Sequence, residues 1–155
     1  MGLEINILRR EHLQDFKQLL NVFDIVFEYT NSEKAADGHL IELLQNHSFL
    51  AIVARSEGQI IGGLTAYVLP QYHADKPVLY IQDLAVSVDF QRMGIGRKLM
   101  AFTLDHCKQN GFQQMYVLAE QVDDYAVDFY RKTNPSGDEP AVYFYYNLME
   151  KQSTT

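Results

Sequence analysis

The chain has 155 residues, 47% of them hydrophobic, and a net charge of −7 from 13 Lys and Arg against 20 Asp and Glu. This is one domain's length and an ordinary globular composition, enough to bury about two-thirds of the unfolded surface without staples. The acid excess argues against a general nucleic-acid binder and permits a cationic partner, and the lone Cys107 excludes an internal disulfide or a cysteine metal cluster.

Ile5 to Leu8 reads as a short strand. Leu13, Phe16, Leu19, Leu20, Phe23 and Phe27 recur at three to four residues, which predicts an amphipathic helix. Thr30 to Gly38 is a polar loop, followed by a helix burying Leu40, Ile41, Leu43 and Leu44. Phe49–Arg55 and Gln59–Leu69 form a hairpin across Ser56-Glu57-Gly58, where Gly58 is free to take positive φ. Gly62-Gly63 inside the second strand suggests a bulge or a close neighbour.

Val78–Val86 is apolar on both faces, the mark of a central strand. Ile95–Asn110 is a helix with an apolar stripe of Ile95, Leu99, Met100, Phe102 and Leu104, and Gly111 is its expected C′ residue. Gln114–Ala119 is the next strand. Asp123–Lys132 is a helix with acids in its first turn and bases in its last. Ala141–Leu148 reads as a final aromatic strand, and Lys151–Thr155 as a frayed tail. With no linker or repeat, 1–155 is expected to be a single α+β domain: a mixed, mostly antiparallel sheet with helices on both faces.

The strongest local signal is Gln91-Arg92-Met93-Gly94-Ile95-Gly96-Arg97-Lys98, where a buried strand gives way to a helix. Its glycines let a ligand approach the backbone, and the helix N-terminus offers unpaired N–H groups that suit a phosphate or pyrophosphate. Arg92, Arg97 and Lys98 reverse the sign of the chain locally. A Rossmann fingerprint would need glycine where Leu99 stands, and Arg97-Lys98 does not fit a Walker A loop. The plain alternative is a glycine-rich turn with a solvated basic edge.

Gln91-x-x-Gly94-x-Gly96 after Leu84-Ala85-Val86 resembles the acetyl-CoA motif of the GNAT superfamily of N-acetyltransferases. Ala126-Val127-Asp128-Phe129-Tyr130 is similar to that superfamily's Ala-x-x-Leu/Phe-Tyr helix. Two departures concern the coenzyme's exit side: Asp123 stands where Asn is frequent, and Thr133-Asn134-Pro135 replaces the usual Gly-Phe. From about Phe49 to Tyr130 the chain further resembles type I aminoglycoside 3-N-acetyltransferases, in Thr65–Pro70, Leu79–Val86 and Ala119–Val127.

The resemblance implies the GNAT acyltransferase fold, with strands four and five splayed around acetyl-CoA. Leu84, Ala85 and Val86 would pair with the pantetheine arm as an added strand would. Gln91, Arg92, Met93, Gly94, Ile95, Gly96, Arg97 and Lys98 would hold the pyrophosphate, with Asp123 and Ala126 also on the coenzyme. The reaction would be direct attack by a primary amine, such as the 3-amine of a gentamicin-like aminoglycoside, and would confer antibiotic resistance. Alternatives are another amine (a polyamine, small metabolite or protein amine) or a non-catalytic acyl-CoA-binding module. The resemblance also permits a homodimer.

Asp83, a carboxylate in an otherwise apolar strand, is the first candidate base, since such a group is costly unless paired or used. The alternative is a carboxylate bonded to neighbouring backbone or to Arg. Glu120, taken as the end of strand five, is a second candidate, and an ordered water a third. The Val86 N–H is the expected oxyanion donor, and Tyr130 the family's candidate general acid; as bare sequence Tyr130 is equally a core residue. Tyr80, Gln82, Asp83, Glu120, Asp123 and Asp124 form the expected acceptor site. Asp123 and Asp124 read equally well as helix-capping acids.

Cys107 lies mid-helix on the apolar side, against a role as acyl carrier, and His12, His39, His47, His73 and His106 lack ligand spacing, so no metal is expected. Tyr143–Tyr146 are expected in core and edge strand or at a dimer surface. No apolar run nears ~18 residues, and Met1-Gly2-Leu3-Glu4 opens no signal-peptide core, so the expected location is cytoplasmic.

Overall fold

The computed structural model describes residues 2–30 and 33–149; the expected frayed tail Lys151–Thr155 lies outside them. The chain divides into two compact units, Met1–Leu118 and Ala119–Thr155.

The first unit holds β1 (Leu3–Ile7), α1 (Leu13–Val26), α2 (Asp37–Gln45), β2 (Phe49–Ser56), β3 (Gln59–Leu69), β4 (Val78–Val86), α3 (Ile95–Gln109) and β5 (Gln114–Val117), with single 3-10 turns at Arg10–His12 and Val88–Phe90. The five strands lie in the order β1-β2-β3-β4-β5. All neighbours are antiparallel except β4 and β5, which are parallel and enclose α3 as their crossover. This is the mixed α+β sheet expected from the sequence.

The hairpin forms as the turn residues dictate. Glu57 and Gly58 both take positive φ, 51° and 77°, the combination that matches strand twist in a two-residue connection. The two glycines in β3 answer both expectations. A register shift opposite Ala54/Arg55 marks a bulge. A Cβ on Gly62 would stand 2.8 Å from the Ala85 carbonyl oxygen, and one on Gly63 would overlap the Ile52 carbonyl and the Leu19 methyls.

Cross-strand register sorts the sheet into two faces. Phe49, Ala51, Val53 and Ala85 join Phe16, Leu19, Val22 and Phe23 of α1 and Leu40 of α2 in one core cluster. A half-buried ion pair, Arg55 Nη2 to Asp15 Oδ2 at 2.6 Å, ties α1 to β2. The opposite face, with Ile52, Leu64, Ala66, Leu79 and Ile81, is fully buried, and α3 packs against β2, β3 and β4. Its buried row is Ile95, Leu99, Met100, Thr103 and Cys107. Leu104, expected in the stripe, is exposed instead. Thr103 takes the place because its Oγ1 donates to the Leu99 carbonyl at 2.8 Å, which removes the penalty of burying a hydroxyl. Gly111, at φ 74°, ends the helix, with the Phe112 N–H on the Cys107 carbonyl at 3.0 Å.

The second unit contains α4 (Asp124–Arg131). The expected last strand, Ala141–Leu148, does not form: it joins no ladder among the described residues, and Val142 to Tyr146 are exposed. Tyr143 and Tyr145 stack with ring centroids 5.7 Å apart. β-propensity measures fit to a half-buried pleated surface, so aromatic composition makes no strand without a paired neighbour. The core placement of Tyr143–Tyr146 is corrected with it.

Candidate active site

The site begins with a change of register in β4. Ile81 faces Ala66 and Asp83 faces Thr65, so two steps along β4 match one along β3 and Gln82 is a bulged residue. In an unbroken strand Asp83 would share a face with Leu79 and Ile81, against α3. The bulge turns it to the face of Tyr67, Thr65 and Tyr80, on the α1 and α2 side. Tyr80 and Tyr116 pack there with centroids 5.1 Å apart. Thr65 is buried and Asp83 is half-buried. Burial alone pushes the Asp83 carboxyl above its usual 3.8. Of the plain alternative, a bond to neighbouring backbone or to arginine, the arginine pairing is not found among the described residues.

The bulge also coincides with the end of the parallel ladder. β4 and β5 pair only from Val78↔Gln114 to Ile81↔Val117, and β5 stops there. From Gln82 onward, the β5 side of β4 has no strand partner among the described residues. The Ser87 N–H donates to the Ile61 carbonyl at 2.7 Å, which makes Ile61/Ser87 a hydrogen-bonded pair in the antiparallel β3–β4 register. By the alternation of such ladders, the N–H and C=O of Val86 and Leu84 point away from β3, to the open side. That edge is a ready template for an extended amide-bearing chain.

Beyond Val86 the chain makes a 3-10 turn and enters the glycine-rich loop. The Gln91 side-chain amide donates to the Val86 carbonyl at 2.9 Å. Arg92 adopts φ 63°, a left-handed conformation uncommon for a residue with a side chain, and Gly94, the N-cap of α3, has φ 81°. The left-handed Gly94 followed by helical Ile95 turns successive N–H groups into a concave anion nest at the helix end. No acid occupies the first turn of α3, and Arg92, Met93, Arg97 and Lys98 are exposed around it, while Ile95 and Gly96 are buried beneath. A pantetheine-like arm and a diphosphate therefore each find matching groups.

The second unit carries the other expected residues. Asp123 caps α4, its Oδ1 accepting the Ala126 N–H at 3.1 Å, so the capping reading holds for this residue. Asp124 is exposed in the first turn, Ala126 is partly buried, and Tyr130 is half-buried with its ring 4.9 Å from Phe129. Glu120 does not end strand five: β5 stops at Val117, and Glu120 is exposed three residues later, its carbonyl accepting the Asp123 N–H at 3.0 Å. Leu118 and Ala119 look strand-like in sequence, but strand length is set by the ladder available.

Sequence reasoning missed the bulge at Gln82 and the side-chain bond of Gln91. Cys107, by contrast, is the inert thiol expected: it is buried, and burial pushes its pKa up to about 11.

Comparison with known proteins fits this arrangement. Residues 13–134 match the acetyltransferase (GNAT) family. The fold matches the crystal structure of an aminoglycoside acetyltransferase, meta-AAC0020, from an uncultured soil metagenomic sample in complex with trehalose, at 46% identity, TM-score 0.93, and coverage of 95% of this chain and 97% of that one. A structure of the same protein in complex with sisomicin matches with the same coverage and TM-score. A second aminoglycoside acetyltransferase from such a sample, HMB0005, is 26% identical with TM-score 0.88, over 96% of this chain and 100% of that one. An uncharacterized N-acetyltransferase of Bacillus subtilis (strain 168), YhfO, is 23% identical over 86% of this chain and 89% of its own length. With its open β4 edge and glycine-rich anion nest, the chain belongs to the acetyltransferase (GNAT) family and is an acetyl-CoA-dependent acetyltransferase.

Proposed function

We propose that the acceptor is a primary amine of an aminoglycoside, the 3-amine of a gentamicin-like compound, and that acetylation confers resistance by removing a cation from the drug. The observation that carries this reading is 46% identity over nearly the whole chain to an aminoglycoside acetyltransferase whose structure has also been determined with sisomicin. The chemistry of the β4 bulge supports it. A half-buried carboxylate on the open face suits a cationic amine twice, as a counter-charge on binding and as a proton acceptor afterwards.

The mechanism follows from the groups described. The open edge at Leu84–Val86 holds the pantetheine arm, and the loop from Arg92 to Lys98 holds the diphosphate. Asp83 takes a proton from the ammonium, freeing the lone pair to attack the thioester carbonyl. The Val86 N–H, directed away from β3, stabilises the oxyanion that forms. The carbon–sulfur bond then breaks. A proton from Tyr130 goes to the departing thiolate, the second proton of the acceptor nitrogen restores the tyrosine as the amide forms, and Asp83 releases its proton to solvent. The place of Tyr130 in the Ala126–Tyr130 motif supports its role. On β4, Tyr80 and Gln82 are the proposed acceptor contacts near Asp83, and the resemblance adds Glu120 and Asp124 as acceptor carboxylates.

The test is release of free CoA thiol across gentamicin-like aminoglycosides, polyamines and simple amines, with the acetylated position read by NMR of the product. The highest kcat/KM is expected for an aminoglycoside, modified at its 3-amine. Faster turnover of a polyamine or metabolite amine overturns the acceptor, and modification of another amine overturns the position.

A further inference from the structure

We propose that Gln91 is a positioning residue, a brace that sets the end of β4 against the diphosphate loop, and not a ligand of the coenzyme. The inference rests on the acetyl-transfer reading of this site. Three bonds hold the same short stretch. The Ser87 N–H donates to the Ile61 carbonyl at 2.7 Å, and the Gln91 amide donates to the Val86 carbonyl at 2.9 Å. Both polar groups of the Val86–Ser87 peptide are thus occupied, one from β3 and one from the loop. The Phe90 N–H closes the turn between them on the Ser87 carbonyl at 2.8 Å.

This arrangement answers a specific problem. Among the described residues, no strand pairs with the open side of β4 beyond Ile81. The loop that follows is not relaxed either, with Arg92 at φ 63°. The Val86 N–H belongs to the separate Ala85–Val86 peptide, so the brace reaches it only through the direction of the chain at Val86, which is fixed by holding the next peptide at both its polar groups. Gln91 spans from the first residue of the loop to the last residue of β4, so one side chain sets the spacing between the end of β4 and the nest at Gly94. An amide whose donor is already committed to Val86 is also poorly placed to serve a phosphate.

The experiment compares two acetyl donors: acetyl-CoA, and S-acetyl-pantetheine, which has the thioester and amide arm but no diphosphate. Wild-type turnover of acetyl-CoA comes first; its absence would sink the acetyl-transfer reading and is distinct from any result on Gln91. In Gln91→Met, which keeps the side-chain length and deletes the donor, the brace predicts kcat lower by about three- to tenfold with both donors, the range for one lost hydrogen bond, at little change in KM for acetyl-CoA. Gln91→Lys, which restores an N–H donor, recovers kcat with S-acetyl-pantetheine. Gln91→Glu, isosteric with the wild type, falls at least as far as Gln91→Met because it sets an acceptor against the carbonyl. A defect confined to acetyl-CoA and expressed as a raised KM would make Gln91 a diphosphate ligand and overturn the proposal. So would unchanged kcat in both Gln91→Met and Gln91→Glu, or failure of Gln91→Lys to recover while its melting temperature matches the wild type.

Discussion

Replacing Asp83 by asparagine separates what this carboxylate does for catalysis from what it does to stability. Asparagine keeps the shape and hydrogen-bonding capacity at the bulge and removes the base. Loss of a positioned general base costs about 10²–10⁴ in turnover, or about 3–5 kcal/mol of barrier. The stability effect has the opposite sign. Burial raises the Asp83 carboxyl above 3.8 in the folded state. The native protein therefore holds that proton to higher pH than the unfolded chain does. As pH rises from 3.8 through the raised value, the unfolded state releases the proton more readily, and stability from this group is lost. At pH 7 the wild type carries that penalty and Asp83→Asn does not, so the variant melts higher while turning over slower. The penalty fades below pH 3.8, where aspartate is protonated in both states. A matching signature appears in the rates. The wild-type to variant ratio of kcat/KM is large at neutral pH and shrinks as pH falls through the raised pKa, since a protonated aspartate is no better a base than an amide. Using the ratio cancels the acceptor amine's own titration. A ratio near one at pH 7, or one flat down to pH 4, would refute the assignment and move the proton to Glu120 or a water.

Three further outcomes are expected. Acetyl-CoA at a hundredfold its Kd should stabilise the fold by about 2.7 kcal/mol, a rise of about 5–10 °C in Tm at this chain length; no shift in a thermal melt would remove the nest at Gly94 as the coenzyme site. Asp123→Ala should destabilise by about 1 kcal/mol through loss of the α4 cap, whereas Asp123→Ser keeps a capping oxygen and drops the charge, so a raised acceptor KM in the serine variant at unchanged Tm, read by steady-state kinetics, assigns the carboxylate to substrate. Cys107, with its pKa at about 11, has about one thiolate in a thousand at pH 8, and a thiol reagent should leave activity intact and react fully only in denaturant.

How much of this was legible in the sequence depended on whether the signal is local. β3 and β4 carry their bounds in composition, because residues apolar on both faces suit only a central strand, and the Glu57-Gly58 turn is written in two residues. Gly111 likewise ends α3 where expected. The misses share one cause. The bulge at Gln82, the early stop of β5 at Val117 and the unformed strand at Ala141–Leu148 are all decided by what lies across the ladder. No residue in Tyr80-Ile81-Gln82-Asp83 announces a bulge; it exists because β3 offers one position where β4 spends two. The bond from Gln91 to Val86 was hidden differently. The motif marked Gln91 as part of the coenzyme loop but gave no sign of its side-chain bond, since a side chain folding back five positions leaves no periodic trace.

The bulge at Gln82 also explains why site and fold need not compete here. A carboxylate on the face of Leu79 and Ile81 would lie in a fully buried layer beneath α3, where the cost of charge would oppose folding. A carboxylate on a plain solvent edge would be too well hydrated to be held above its ordinary pKa. One extra residue moves Asp83 from the first environment to an intermediate one, half-buried beside Tyr80 and opposite Thr65. The parallel ladder ends at the preceding residue, Ile81, so β4's open edge begins where Asp83 changes face. The proposed base and the proposed coenzyme-pairing edge thus meet at a single irregularity. Deleting Gln82 would even out the ladder yet leave Asp83 directly after Ile81 and so still on the face of Thr65; turnover near the wild type in that variant, read by CoA-thiol release, would show that the face and not the bulge itself is what the carboxylate needs.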